Sequence, residues 1–216
     1  MGGAEHCSQR GFLLVWGSGK IGSIETQLNT TNFSSPAPGS GGFMDPQKIA
    51  GYFGVAPGMK IADFGSGAGY FTIILAKMVG ESGVVTAIDI LDSALDTLRA
   101  KAKGEGLENI ETVRSNLEIP GGSGLNSDSQ DMVLLANILF QNENKSPIIA
   151  EAKRVLKPTG TLVVIDWQKG TGGFGPPDDL RTDPRELRET IVSSGFQFSS
   201  EIDAGIFHLG MVFRKV

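Results

Sequence analysis

The hydrophobic positions of this chain fall into short uninterrupted runs, and amphipathic stretches of helical period separate them. Four such runs stand in "MKIADF", "GVVTAIDI", "DMVLLANIL" and "GTLVVIDW". A strand that is covered on both faces of a sheet is apolar along its whole length, whereas a half-exposed strand alternates. Because strands and helices alternate along the chain, the pattern predicts a three-layer α/β fold with a mostly parallel sheet.

Capping residues mark where the helices begin. The predicted N-caps are Asp45, Asp92, Ser146 and Asp183. In three of these cases a proline follows at the first helical position, where its missing N–H costs nothing. Residues 69–79 predict a further helix that Gly80 closes.

The C-terminal segment "FQFSSEIDAGIFHLGMVFRKV" predicts two more strands, joined by a turn at "DAG". Strands that are joined by a tight turn run antiparallel to each other. The alternating stretch "NIETVRSN" predicts a further strand, so we expect a seven-stranded sheet in which the last strand runs against the others.

The N-terminal residues differ in composition from the rest. "TTNFSSPAPGSGG" consists mainly of small and polar residues, which bury too little apolar surface to offset their ordering entropy. We interpret residues 1–42 as a flexible arm and residues 43–216 as one domain. His6 and Cys7 lie in the arm, and we expect no metal site.

The charge and the cysteine content favour a small-molecule partner in a reducing compartment. The net charge is −5, so the chain lacks the basic footprint of a nucleic-acid-binding protein. We interpret the basic cluster Arg99, Lys101 and Lys103 as a helix end. A single cysteine, Cys7, excludes an internal disulfide and indicates the cytoplasm. The apolar run "FLLVW" is too short to span a membrane.

The stretch "DFGSGAGYF" after the first strand carries the candidate chemistry. Gly65, Gly67 and Gly69 let the backbone approach a ligand closely. A dinucleotide-binding loop has the spacing G-x-G-x-x-G, but Tyr70 stands where its third glycine would fall. This mismatch disfavours NAD.

Two carboxylates indicate what kind of ligand binds. Asp63 stands at the strand end, where its charge attracts an ammonium or sulfonium and repels a pyrophosphate. The Asp63 carboxylate would also order the loop if it accepted hydrogen bonds from backbone N–H groups. Asp89 ends the next strand, at the spacing of an acidic residue that accepts hydrogen bonds from ribose hydroxyls. Asp92 fits the role of helix cap better than Asp89 does.

With these residues, the chain resembles the class I S-adenosylmethionine-dependent methyltransferases. The resemblance lies in "ADFGSGAGYF", "AIDI", "SQDMVLLANILFQ" and "RVLKPTGTLVVIDW", and it covers about residues 43–216. It is strongest to the small methyltransferases that resemble the ubiquinone/menaquinone biosynthesis (UbiE-like) group. It implies a Rossmann-like fold, S-adenosylmethionine as cofactor, and transfer of its methyl group to a small-molecule acceptor by in-line displacement.

The resemblance also implies the cofactor-binding residues. The first motif, which contacts the methionine part, comprises Asp63, Gly65, Ser66, Gly67, Gly69 and Tyr70. Asp89 holds the ribose and Ile90 packs on adenine. Asn116, followed by Leu117, replaces an aspartate that usually contacts the adenine amino group. Asn137 stands where the methyl-bearing sulfur is approached. Many relatives have a histidine just beyond it, but Phe140 and Gln141 stand there here, which leaves the base unassigned.

The family's strand order suggests where a base lies. There the last strand lies beside the fifth, so its start brings His208 towards Asp166 and Trp167. An Asp166–His208 pair would deprotonate the acceptor, and the alternative is a histidine that holds the C-terminal hairpin. The loop of residues 168–182 is a lid over a flat acceptor or a plain surface connection.

Three functions follow from these patterns. The first is methylation of a small molecule, and a flat or apolar acceptor fits the aromatic residues Phe140, Trp167 and Phe174. The second is a nicotinamide-dependent oxidoreductase, which Tyr70 and Asp63 disfavour. The third is a non-catalytic domain that binds S-adenosyl ligands, which Asn116 and Phe140 leave open.

Overall fold

The computed structural model describes residues 44–216, so the arm expected at residues 1–42 lies outside the described residues. Seven strands are found there: β1 (Lys60–Phe64), β2 (Val84–Asp89), β3 (Ile110–Arg114), β4 (Gln130–Ala136), β5 (Leu156–Trp167), β6 (Phe196–Glu201) and β7 (His208–Lys215). Five α-helices accompany them within the same range: α1 (Pro46–Ala50), α2 (Tyr70–Val79), α3 (Asp92–Gly104), α4 (Ser146–Val155) and α5 (Pro184–Ser193).

The strands form one sheet in the order β3-β2-β1-β4-β5-β7-β6. β1 to β5 pair in parallel, and β7 is antiparallel to both β5 and β6. This confirms the predicted mostly parallel sheet with its reversed last strand. Because ligands bind beyond the carboxyl ends of parallel strands, the loops after β1, β2, β3 and β4 define the ligand edge.

Two apolar cores cover the two faces of the sheet. α4 and α5 pack on one face around Phe64 and Leu135, and α1 and α2 pack on the other around Ile61 and Leu134. Each large apolar side chain buried there stabilises the fold by about 1.5–3 kcal/mol. Neighbouring residues of a strand alternate between the two cores, which decides the layer that each functional side chain faces.

Two of the predicted helix caps are confirmed and two are wrong. Asp45 and Asp183 each accept two backbone N–H bonds at the starts of α1 and α5. Asp92 and Ser146 are instead the first residues of α3 and α4, so the cap position lies one residue earlier. The Asp92 carboxylate turns outward and pairs with Arg114 at 3.2 Å. Within residues 44–216, no helix has the length and apolarity to cross a membrane.

Candidate active site

The glycine loop of residues 65–69 follows β1 at the ligand edge. Gly65, Gly67 and Gly69 have φ values of 73°, 53° and 80°, a region that favours glycine. A Cβ on Gly65 would lie 2.6 Å from Ile138, whereas one on Gly67 would meet no atom within 4 Å. The loop thus packs against the turn after β4 and leaves open space beside Gly67.

Asp63 lies next to this loop, on the face of β1 that α2 covers. Its carboxylate is 2% exposed and accepts a 2.6 Å hydrogen bond from the Thr72 hydroxyl. Burial is the main cause that raises the pKa of Asp63 to about 6; the Thr72 bond opposes the rise and the Asp89 charge adds to it. Sequence reasoning missed Thr72, although a threonine within the apolar run "YFTIILA" was an available signal.

Asp89 ends β2 and binds the glycine loop from the side. Its Oδ2 accepts from the Gly67 N–H at 2.8 Å, and its Oδ1 accepts from the Leu91 N–H at 2.9 Å. Each carboxylate oxygen has a second lone pair, so ribose hydroxyls can still bind. Asp89 therefore also fixes the turn just before α3, whose cap residue Leu91 makes no side-chain cap bond. The neighbouring Ile90 is 50% exposed and offers an apolar surface beside it.

Asn116 and Leu117 follow β3. The Asn116 Oδ1 accepts from the Glu118 N–H at 2.9 Å, which folds the side chain back on its own loop. Leu117 is 6% exposed and packs into the core, so only its backbone can face a ligand. The carboxamide nitrogen of Asn116 and the second lone pair of its oxygen remain for an adenine.

Asn137 follows β4 in a left-handed conformation, with a φ of 54°. Its N–H donates to the Ile165 carbonyl at 2.8 Å, which fixes the turn against β5. The Asn137 Oδ1 and the Ser66 Oγ are both buried, and neither has a hydrogen-bond partner among residues 44–216. An unpaired buried polar atom costs about 1–3 kcal/mol, so these two atoms indicate where polar groups of a ligand would bind.

Tyr70 begins α2 and is 72% exposed beside the glycine loop. The Nζ of Lys101 lies 5.0 Å from its ring centroid and donates to the Ala68 carbonyl at 2.9 Å. Lys101 was interpreted from the sequence only as part of a helix end. The structure brings it to the rim of the site, because α3 packs alongside the loop.

The structure separates two of the predicted catalytic residues. In the β5–β7 ladder, Trp167 lies opposite His208 and Asp166 lies opposite Leu209. Adjacent residues of a strand face opposite sides of the sheet, so His208 shares a face with Trp167 while Asp166 points to the other face. The predicted Asp166–His208 pair is therefore wrong, although His208 does reach the end of β5 as the strand order implied.

Asp166 is completely buried at the end of β5. It accepts a 2.9 Å bond from the Trp167 N–H and a 3.2 Å bond from the Thr182 hydroxyl. Burial raises the pKa of Asp166 to about 7, against the lowering effects of these two bonds, the Lys145 charge and the Phe140 backbone. Asp166 thus connects the segment after β4 with the end of the loop after β5.

His208 packs on Trp167, with the ring centroids 4.1 Å apart, and is 7% exposed. Within residues 44–216, neither of its ring nitrogens has a hydrogen-bond partner. Burial lowers the pKa of His208 to about 4, and the charge of Arg181 lowers it as well. The imidazole is therefore neutral at pH 7, with one N–H donor and one nitrogen acceptor.

Arg181 fixes the loop of residues 168–182. Its guanidinium makes five hydrogen bonds, one for each N–H, and all of them end within the loop. The acceptors are Pro176 O at 2.9 Å, Gln168 O at 3.5 Å, Thr171 Oγ1 at 2.5 Å, Gly172 O at 3.1 Å and Phe174 O. Phe174 stays 51% exposed and lies 6.2 Å from both Trp167 and Phe207, measured between ring centroids. These aromatic residues and His208 form what we term the aromatic wall.

Comparisons with known proteins identify the family. A family model described as a methyltransferase domain matches residues 56–193. The crystal structure of a SAM-dependent methyltransferase from Aquifex aeolicus superimposes with a TM-score of 0.73 at 30% identity, over 81% of this chain and 91% of that one. The chain belongs to the S-adenosylmethionine-dependent methyltransferases. Its cofactor is accordingly S-adenosylmethionine, as the glycine loop predicted.

Further relatives of the chain agree with that family. A type 11 methyltransferase structure from Sulfolobus solfataricus, described in its name as putative, has a TM-score of 0.57 at 30% identity, over 79% of this chain and 89% of that one. The ubiquinone/menaquinone biosynthesis C-methyltransferase UbiE of Shewanella pealeana is 37% identical over 118 residues, which are 54% of this chain and 45% of that protein. The chain thus spans about half the length of the curated relatives it matches.

The residues of the chain fit the cofactor of the family. S-adenosylmethionine carries an ammonium, a sulfonium and a ribose diol, and the buried carboxylate of Asp63 and the half-buried carboxylate of Asp89 suit these groups. A Cβ at position 67 would extend into the open space beside Gly67, which is the space available to the cofactor. The unpaired atoms of Ser66 and Asn137 provide further polar contacts at the same loop and at the adjoining turn.

Proposed function

We propose that this chain transfers the methyl group of S-adenosylmethionine to a small-molecule acceptor. The observation that carries the proposal is the glycine loop, which is open beside Gly67 and flanked by the carboxylates of Asp63 and Asp89. Such a loop accommodates a ligand that is cationic at one end and carries a ribose at the other. The family of the chain supports the same activity.

Each cofactor-binding residue has a separate role in this proposal. The predicted set from Asp63 to Tyr70 holds the methionine part, Asp89 accepts from the ribose hydroxyls, and Ile90 covers one face of the adenine. Asn116 and the Leu117 backbone bind the adenine edge. The bound cofactor supplies a methyl group on a sulfonium, which is activated for displacement. The protein therefore needs no covalent nucleophile; it orients the acceptor and excludes water.

The acceptor would lie against the aromatic wall, within reach of Asn137. Trp167 and Phe174 provide flat apolar surface, and the neutral His208 provides hydrogen bonds rather than a base of ordinary strength. Asp166 is sealed from solvent and acts by holding the adjoining segments. A flat, apolar acceptor fits such a wall. The name of the UbiE relatives, which refers to ubiquinone and menaquinone biosynthesis, supports this acceptor class.

The proposal also covers the class of acceptor that the charge disfavours and the compartment of the reaction. The net charge of −5 disfavours nucleic acid as the acceptor, because phosphates would be repelled. The single cysteine favours the reducing cytoplasm as the compartment.

Calorimetry and a methyl-transfer assay test the proposal. We expect the full chain to bind S-adenosylmethionine and S-adenosylhomocysteine but not NAD. Asp89→Asn should weaken that binding at least about tenfold, since a charge-assisted hydrogen bond to ribose is lost. With radiolabelled S-adenosylmethionine, label should enter the small-molecule fraction of a cell extract. Binding of NAD alone would instead favour the oxidoreductase.

A non-catalytic domain that binds S-adenosyl ligands is the second candidate. The observation that favours it is the absence of an Asp166–His208 pair at the end of β5. Binding of S-adenosylhomocysteine without label transfer to small molecules in extracts from several growth conditions would favour this candidate.

A further inference from the structure

A buried ion pair lies outside the glycine loop and the aromatic wall. Glu151 of α4 is 3% exposed, and Arg154, one turn later, donates to it from Nε at 2.8 Å and from Nη2 at 2.7 Å. Such a bidentate pair fixes both side chains in one geometry. Neither residue was singled out from the sequence, because a glutamate three residues before an arginine is ordinary on a helix surface.

Glu151 holds the loop that joins β3 to β4, residues 115–129. Besides Arg154, its carboxylate accepts from the Gly121 N–H at 3.1 Å, the Ser123 N–H at 3.1 Å and the Ser123 hydroxyl at 2.5 Å. Burial alone would raise the pKa of Glu151, but these hydrogen bonds lower it to about 2. Arg154 adds a 2.8 Å bond to the Leu125 carbonyl. The ion pair therefore binds the loop through charged groups at several points.

The held loop is connected to the residues proposed to bind adenosine. The Gly122 N–H donates to Ile119 O at 2.8 Å, and the Gly122 carbonyl accepts from the Ser115 hydroxyl. The Ser115 N–H in turn donates to the Asp89 carbonyl at 2.9 Å. Gly122 also packs so closely on the Asn116 carbonyl that a Cβ would overlap it. The placement of Asn116 and of Asp89 thus depends on the loop that Glu151 holds.

We propose that Glu151, paired with Arg154, is a positioning residue that sets adenine specificity by fixing the loop that carries Asn116. This inference rests on the proposed function, in which Asn116 binds the adenine edge. Glu151 itself acts through Gly121 and Ser123. Without the carboxylate, their N–H groups lose a charged acceptor, and Asn116 loses its fixed orientation.

A comparison of two ligands tests the role. S-adenosylhomocysteine and S-inosylhomocysteine differ only where hypoxanthine replaces adenine, so the ratio of their affinities measures adenine specificity. In calorimetry on the full chain, we expect Glu151→Gln to reduce affinity for S-adenosylhomocysteine about tenfold and to remove most of the preference for adenine. A loss of stability alone would not change this ratio.

Two further variants keep the test decisive. Asp131→Asn breaks a different ion pair, between Asp131 in β4 and Lys157 in β5, and should leave both affinities unchanged. Ser123→Ala removes only one hydroxyl from the Glu151 network, so it should fold even if Glu151→Gln does not. We expect it to lower the preference for adenine in the same direction, by a smaller factor.

A double-mutant cycle shows whether Glu151 acts through Asn116. If it does, adding Asn116→Ala to Glu151→Gln should weaken S-adenosylhomocysteine binding little further, whereas independent roles give additive losses. Additive losses would overturn the inference. So would a folded Glu151→Gln protein with the affinity and preference of the wild type. If the wild-type chain bound no S-adenosylhomocysteine, the proposed function would fail together with this inference.

Discussion

At the scale of single residues, burial of Asp63 disfavours the charged form of its carboxylate in the folded chain. Its pKa is about 6 in the folded chain against 3.8 in the unfolded chain. The unfolded state therefore releases its proton first as the pH rises, and the folded state loses stability between about pH 4 and pH 6. The loss amounts to about 3 kcal/mol and persists above pH 6. A buried carboxylate that is retained at this cost suits a cationic ligand.

We expect Asp63→Asn to be more stable than the wild type at pH 8, by up to about 3 kcal/mol, because the amide carries no charge. The two proteins should be equally stable below about pH 4. Urea denaturation at pH 4, 6 and 8 measures this difference. The same variant should bind S-adenosylmethionine more weakly.

Asp131→Asn is a control with the opposite sign. Burial alone would raise the pKa of Asp131, but hydrogen bonds from Lys157 and the Lys60 backbone lower it. Loss of this carboxylate should therefore reduce stability at pH 8. An Asp63→Asn protein that is also less stable at pH 8 would contradict the proposed burial cost.

His208 should behave as a neutral ring throughout the physiological range. Its pKa of about 4 means that its NMR signals shift only when the pH falls well below the usual value near 6.5. The chain has two histidines, so comparison with a His208→Gln spectrum assigns the signal. Titration of His208 between pH 6 and pH 7, the ordinary range of an imidazole in water, would instead contradict the burial of the ring against Trp167.

At the scale of elements, Arg181 holds the loop of residues 168–182 in place and so fixes Phe174 of the aromatic wall. Arg181→Lys keeps the charge but offers three donors instead of five, without the planar fork. Several carbonyls of the loop then lose a charged donor, and we expect a loss of about 1.5–3 kcal/mol in unfolding free energy. Hydrogen–deuterium exchange should rise within residues 168–182 and little elsewhere.

Arg185→Lys, on the exposed start of α5, is the matched control, and its exchange should equal that of the wild type. If Arg181→Lys exchanged like the wild type, the loop would be held by its other contacts. If exchange rose evenly over the whole chain, Arg181 would support general stability and not this loop.

The elements could be predicted from sequence because their signals are local. The strand "GTLVVIDW" is apolar throughout since both of its faces are buried, and Asp183 caps α5 with its own side chain. The antiparallel direction of β7 followed from the turn at "DAG", and its place beside β5 followed from the resemblance to a known family. These predictions hold even when the predicted bounds of a helix or strand are wrong by one or two residues.

The contacts of the site could not be predicted, because they depend on single-residue detail. Asp166 and His208 face opposite sides of the sheet, and a register shift of one residue would have reversed this. The cap position of α3 falls on Leu91, one residue before the predicted Asp92, for a similar reason. Arg181 bonds mainly to carbonyls of its own loop, and Glu151 bonds to Arg154 and to the distant loop of residues 115–129. Neither set of contacts leaves a pattern in the sequence.

At the scale of the whole molecule, the proposed cofactor site joins parts of the chain that are far apart in sequence. The glycine loop, Asp89, Asn116 and Asn137 follow four different strands, yet all lie at one edge of the sheet. A ligand that contacts all four binds the folded chain and not the unfolded one. Its binding free energy is therefore added to the stability of the whole fold.

We therefore expect S-adenosylhomocysteine to raise the melting temperature of the full chain. At about 100-fold excess over its Kd the ligand adds about 2.7 kcal/mol, which corresponds to a shift of roughly 5–10 °C for a domain of this size. NAD at the same concentration should give no shift, and Asp89→Asn should lose most of the shift with S-adenosylhomocysteine. An equal shift with NAD would mean that the loop accepts a pyrophosphate despite Asp63. The site would then be a general nucleotide cleft, and the carboxylates would not select the cofactor.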